Sequence, residues 1–511
     1  MATEVTRRDF IGTTLKAGAA VGLADLAFLH GLPPVSAQEA KLPRAMVRLS
    51  PDIEPLVRLI EETPRERLMD VIAGKVRSGT SYQHLLAALM LAGVRGVQPR
   101  PVGFKFHAVL VVNSAHLASL ASPDRERWLP LFWALDYFKS SQARNKVEGD
   151  WVMPPLDESQ LPPSHQAKRR LIEALDNWDE EGADRAAAMF ARVAGAEEIA
   201  ELFWRYGARD FRDIGHKAIY AANAYRTLHT IGWRHAEPVI RSLALAMLDK
   251  REAGNPARND YEADRPGREN IKRIAQIRTH WQRGRVAPSA TTELLAALRT
   301  ASYSEASEKV VALLNQEVDP VSIWDGLLCM AGELLMRQPG IVALHAVTTT
   351  NALHFGFQTS GNDETRRLLL LQAAAFLTMF REAMRGRGKV RDDVTIDTLP
   401  KADLKRTGAE AVEEILADVS RDRMAAARKT LALLEADRAA AEPLMTAARR
   451  LIFFKGNDSH DYKFSSAALE DFYHATPAWR NRFLATSMFN LHGSQDRDND
   501  LIKRVQAALA G

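Results

Sequence analysis

Cysteine occurs once in the 511 residues, at Cys329, so the chain can form no intramolecular disulfide and no cysteine-based metal site. Long apolar runs are also missing. Beyond the N-terminal segment no stretch approaches the ~18 residues that a membrane-spanning helix requires, which predicts a soluble mature chain with no transmembrane segment. Neither sign of charge is in excess: Lys and Arg number 68 against 64 Asp and Glu. The basic residues are mixed with acids, as in RRLIEALDNWDEEGADR, which leaves nucleic-acid binding without support. Alternating β-branched runs bounded by turns are nearly absent. So are the compact catalytic signatures, with no glycine-rich phosphate loop, nucleophile elbow, HExxH or CxxC.

What is present is Ala, Leu, Arg and Glu in helical order. TTELLAALRT, SEKVVALLNQEV and AAARKTLALLEA each place apolar residues at i, i+3 and i+4. The fold class is therefore all-α. MPPLDESQLPPSH, with four prolines, reads as a linker, and GNPARNDYEADRPGREN and GRGKVRDDVTIDTLPKAD read as exposed loops.

The first 37 residues read as a targeting segment. Thr6-Arg7-Arg8-Asp9-Phe10-Ile11 resembles the twin-arginine export signal. The weakly apolar LKAGAAVGLADLAFLHGL follows, and then PPVSAQ, a small-x-small site that would leave Gln38 at the mature N-terminus. The resemblance implies the twin-arginine machinery as a partner and a periplasmic or secreted location. Cargo of that route is exported folded, often with a cofactor already inserted.

Two ten-residue stretches share a spelling. HAVLVVNSAH begins at His107 and HAVTTTNALH at His345. A second pair lies at nearly the same offset: His216, His229, Trp233 and Arg234 against His460, His474, Trp479 and Arg480. The offsets are 238 residues for His107 to His345 and 244 for His216 to His460. Two pairs at a near-common offset point to internal duplication, and self-similarity of this kind marks a repeat architecture. The expected assembly is toroid- or solenoid-like, with two pseudo-symmetric halves. Half 1 would span 38–250, with units around His107 and His216. A connecting loop and helix start would occupy 251–279. Half 2 would span 280–511, with units around His345 and His460.

If such units pack about a pseudo-axis, His107, His216, His345 and His460 converge. Four imidazoles suit Fe, Cu or Zn, and an open position would admit water, dioxygen or a small-molecule substrate. His107 and His116 are nine residues apart and point in opposite directions on a regular helix, whereas Asn113 and His116 share a face. The pairs Asn113/His116 and Asn351/His354 are thus candidates for substrate binding rather than for the same centre. A histidine behind a proline-containing loop can equally bond loop carbonyls and fix the start of its helix. GNDSHDYKF holds metal-ligand residue types, but acids beside a turn usually face solvent.

GHKAIYAANA and LHAVTTTNAL resemble the histidine-bearing segments of the questin oxidase-like family. The matching positions are His216 and Ile219, then His345, Val347 and Thr348, while Lys217 stands where that family tends to have proline and Tyr220 where it has a second histidine. The resemblance covers about 60 residues. It implies an all-helical fold and oxygenative ring opening of polycyclic aromatics. Two function classes follow. One is an exported oxidoreductase, an oxygenase using a His-bound metal or small cofactor on a small organic substrate in a cavity between the halves. The other is a non-catalytic helical scaffold binding a peptide, lipid or envelope partner along its repeat surface.

Overall fold

A computed structural model describes residues 46–250 and 254–510. The twin-arginine motif and the cleavage site lie outside the described residues. Among those described, the chain is all-α, with 23 helices and no strand. No helix is long and apolar enough to cross a membrane. The described residues from Val47 onward form one compact unit.

Local signals account for where the helices begin. Ser302 accepts from the Glu305 backbone N–H while the Glu305 carboxylate answers the Ser302 N–H, so Tyr303–Asn315 starts in a capping box. Asp319 caps a helix whose first residue is Pro320, and Asn362 caps Asp363–Arg385. Pro320–Arg337 is buried almost from end to end, because its run IWDGLLCMAGELLM is mostly apolar and its two acids are bonded inside, Asp325 by Thr476 and Glu333 by Arg299. Met153–Pro163 is mostly irregular, as its prolines dictate. The stretch 251–279 contains a helix, Arg265–Arg273, that packs on Asp363–Arg385.

Four segments at the centre each begin at or near a histidine: His107–Leu110 with Val112–Leu120, His216–Ile231, Ile341–Thr359 and Ser459–His474. The first and third each touch both the second and the fourth. Ser466 Oγ bonds Ser114 Oγ at 2.9 Å, Arg226 pairs with Glu470 at 2.7 Å, and Asn351 Nδ2 donates to Asp471 at 2.9 Å. Each pairing joins residues about two to three turns past their respective histidines. The four segments therefore run parallel, with their N-terminal ends at one level.

Candidate metal centre

Backbone geometry delivers each histidine. Gly103, at φ 125°, precedes the 3-10 turn Phe104–Phe106 that leads into His107. A Cβ on Gly103 would stand 3.1 Å from Cε1 of His216, so the glycine lets this loop lie against the ring. Ile214 and Gly215 both adopt left-handed conformations, at φ 53° and 84°, immediately before His216. That is costly for a β-branched residue, and it is held by packing, since a Cβ on Gly215 would run into Thr349. Lys217 Nζ donates to both oxygens of Asp210 at 2.8 Å and to the Asp249 carbonyl, while Asp249 Oδ2 accepts from the Val102 N–H at 2.9 Å. This buried chain ties the loop before His216 to the loop before His107. His345 is the fifth residue of Ile341–Thr359, and His460 is the second of Ser459–His474, behind the Asp458–Asp461 capping box.

The four rings meet. One ligand atom from each of His107, His216, His345 and His460 lies within 4.8 Å of all the others. Nε2 of His216 is 3.0 Å from Nε2 of His107 and 2.9 Å from Nε2 of His345. Around the ring of four, centroid separations alternate: 5.1 Å for His107–His216, 4.4 Å for His216–His345, 5.1 Å for His345–His460 and 4.4 Å for His460–His107. His107, His216 and His345 are 6, 5 and 1 % exposed, and His460 opens slightly to the surface.

Hydrogen bonds at the far side of three rings fix which nitrogen points inward. Nδ1 of His216 donates to the Asp213 carbonyl and Nδ1 of His345 to the Ile341 carbonyl, both at 2.6 Å. Nδ1 of His460 faces the Asp458 carboxylate at 2.5 Å. A carbonyl only accepts, so Nδ1 carries the proton in His216 and His345. In the neutral ring Nε2 then carries a lone pair. Burial, the Lys463 ammonium and the neighbouring imidazoles hold His107 and His345 well below the usual histidine range. Burial also lowers His460, against the pull of Asp458. Its Nε2 is buried with no hydrogen-bond partner. Inward lone pairs 2.9 Å apart repel unless a cation lies among them. Extra protons are disfavoured by burial and by Lys463, itself pushed down to about 7 by burial and with its Nζ unpartnered. The donor set could hold a metal ion, and the carbonyl and carboxylate contacts at Nδ1 have the form of the outer interactions that orient metal-binding imidazoles.

The Asn/His pairs lie elsewhere, and the two differ. His116 Nδ1 is 3.2 Å from the Tyr82 hydroxyl, and Asn113 is buried with Nδ2 unpartnered. Asn351 Nδ2 reaches Glu470 at 2.8 Å and Asp471 at 2.9 Å. His354 stands with Asp471 and His474, one ligand atom of each within 4.8 Å of the others.

Several residues of the site escape the sequence reading. Lys463, at i+3 from His460, and Asp458 both lie in GNDSHDYKF, where a histidine framed by a capping acid and a buried-face lysine is the legible signal. Tyr220 is a core residue, its hydroxyl donating to Ser242 at 3.0 Å and its ring against Phe106. Among surface clefts, one of about 360 Å³ is lined by Trp133, Tyr137 and Asn457, the last adjacent in the chain to Asp458. Comparison with protein-family models, with curated proteins and with solved structures finds no match to this chain.

Proposed function

We propose that the protein is a metal-dependent oxidoreductase of the oxygenase type, with Fe or Cu held by His107, His216, His345 and His460. The observation that carries this reading is the 2.9 Å spacing of the inward, lone-pair-bearing Nε2 atoms of His216 and His345, with Nε2 of His107 3.0 Å from that of His216. Metal–nitrogen bonds of about 2.0–2.1 Å place neighbouring ligands about 3.3 Å apart in a tetrahedron and about 2.9 Å apart at right angles. The shorter spacing would suit Fe or Cu better than Zn, and such an ion, held by these four histidines, would supply binding and activation of dioxygen.

In this reading the chain's own residues have separate tasks. Asp213, Ile341 and Asp458 orient three imidazoles. Lys463, pushed down to about 7 by burial, is placed to hold or release a proton beside the four rings. The surrounding core keeps bulk water from the centre. The cleft lined by Trp133, Tyr137 and Asn457 lies beside the loop that carries Asp458 and is the surface opening nearest in the chain to His460 among those described above. The likeness of GHKAIYAANA and LHAVTTTNAL to the questin oxidase-like family points toward oxygenative ring opening. Export through the twin-arginine route fits a metal inserted before translocation, and the alternating ring separations fit a twofold relation exchanging His107 with His345 and His216 with His460.

Oxygen uptake by the metal-loaded protein, measured with a panel of polycyclic aromatic ketones, tests the activity. Uptake with at least one substrate, abolished in a His107→Ala/His345→Ala variant, is the expected result. Metal-loaded protein inert toward dioxygen with the whole panel would move the reading to a helical scaffold. Periplasmic accumulation undiminished after Arg7→Lys and Arg8→Lys would remove the twin-arginine route.

A further inference from the structure

The helices that bring His345 and His460 together carry a second polar cluster farther along. His354 lies nine residues beyond His345 on one unbroken helix, about 13.5 Å along the axis and on the opposite face. Asp471 and His474 lie toward the end of Ser459–His474. Because the two helices run parallel, their distal turns meet as their first turns do.

We infer that His354, Asp471 and His474 form a second metal site, separate from the four-histidine centre, that takes a divalent transition-metal ion on two imidazoles and one carboxylate. Three observations carry it. One ligand atom from each residue lies within 4.8 Å of the other two. Asp471 is 0 % exposed, and only one of its oxygens is used: Oδ1 accepts from Asn351, while Oδ2 is buried with no partner. Nδ1 of His354, 6 % exposed, is likewise buried without a partner. Unsatisfied buried groups of this kind are expensive, and a carboxylate more so than an amide.

Arg226 is the nearby positive group, and it is engaged by Glu470 through Nη2 at 2.7 and 3.0 Å. Arg226 therefore makes no hydrogen bond to Asp471, whose Oδ2 stays without one. The Gln358 amide nitrogen lies 3.2 Å from Nδ1 of His474, and His354 packs against Trp324 with centroids 4.6 Å apart. Two histidines and one carboxylate leave exchangeable positions on the ion, the pattern of ferrous and catalytic zinc centres. His474 is half-buried, so the site reaches solvent from its own side.

Cobalt(II) titration of the full chain, stripped of metal, tests the assignment through its visible absorption. Wild type is expected to bind two equivalents. Asp471→Asn and His354→Gln should each lose one, with affinity at that site falling more than about 100-fold, beyond the 10- to 100-fold effect typical of outer-shell changes. His345→Gln should lose the other equivalent and leave this one intact. Asp471→Asn replaces a buried charge by an amide of the same shape, so it tests the site in a folded protein, which circular dichroism verifies. Two equivalents retained in both Asp471→Asn and His354→Gln would overturn the site, as would a wild type whose binding is lost only in His345→Gln. One equivalent lost in Asp471→Asn but untouched by His345→Gln would uphold this site and overturn the four-histidine centre.

Discussion

HAVLVVNSAH and HAVTTTNALH begin alike in space and end differently. His107 and His345 face the same centre. His116 meets only the Tyr82 hydroxyl among the polar contacts described, whereas His354 meets a carboxylate and another histidine. The helices packed alongside explain the difference. At the 244-residue offset that relates His216 to His460, Thr227 and Thr230 stand where the second segment has Asp471 and His474. Both threonines turn their hydroxyls back to their own helix, to the Asn223 and Arg226 carbonyls. Asn113 consequently leaves Nδ2 unpartnered, while Asn351 donates to two carboxylates. A repeated spelling thus preserves direction along a helix, and chemistry depends on what the adjacent helix supplies.

The largest effect that separates the two ends of the bundle is metal removal. Stripping the protein with a chelator is expected to lower its unfolding free energy by about 4 kcal/mol at ion concentrations 1,000-fold above Kd, read by denaturant titration with and without metal restored. An unchanged midpoint would contradict ligation at either end. Next in size, metal-free Asp471→Asn is expected to be more stable than metal-free wild type by about 1–3 kcal/mol, since the variant no longer buries an unsatisfied carboxylate; a destabilised variant would mean that Asp471 has a partner. His116→Ala is expected to cost about 1 kcal/mol through its bond to Tyr82, with metal content untouched. Loss of metal in that variant would erase the contrast between the motifs.

The smallest effect concerns His492, which braces the start of the His460 helix through Asp461 and Asp496, each at 3.2 Å. Burial pushes this imidazole down, but the two carboxylates outweigh it and raise its pKa above the ordinary value. Its contribution is therefore complete below the unfolded-state value of about 6.5 and is lost as pH rises through the higher folded value. Stability should fall by about 1 kcal/mol over that interval, and His492→Gln should flatten this part of the profile.

The helical class is legible because apolar residues recur at i, i+3 and i+4 in almost every segment. The four histidines are legible because they sit at matching places in four apolar helices. Their separation by more than a hundred residues is what hides the rest. Whether those helix starts share a level depends on parallel packing, which no local pattern encodes. Lys463 and Asp458 sit in a turn-and-acid context that normally faces water, and only the folded structure shows that Lys463 is buried. Asp471 belongs to no spelled motif, and His474 is matched in the sequence only with His229, which lies in another helix. Asp471 and His474 become a site only because Ile341–Thr359 runs beside them in the same direction. The left-handed Ile214 is equally unreadable, since a β-branched residue there is a cost that packing alone imposes.

The central claim is that four inward imidazoles hold a metal ion. Its most direct test is mass-spectrometric metal analysis of the native protein, purified without a histidine tag, alongside His107→Ala/His345→Ala prepared identically. The account predicts near-stoichiometric Fe or Cu in the wild type, with that metal lost in the variant because two of its four nitrogens are gone. A wild type that is fully folded and free of Fe, Cu and Zn would contradict it.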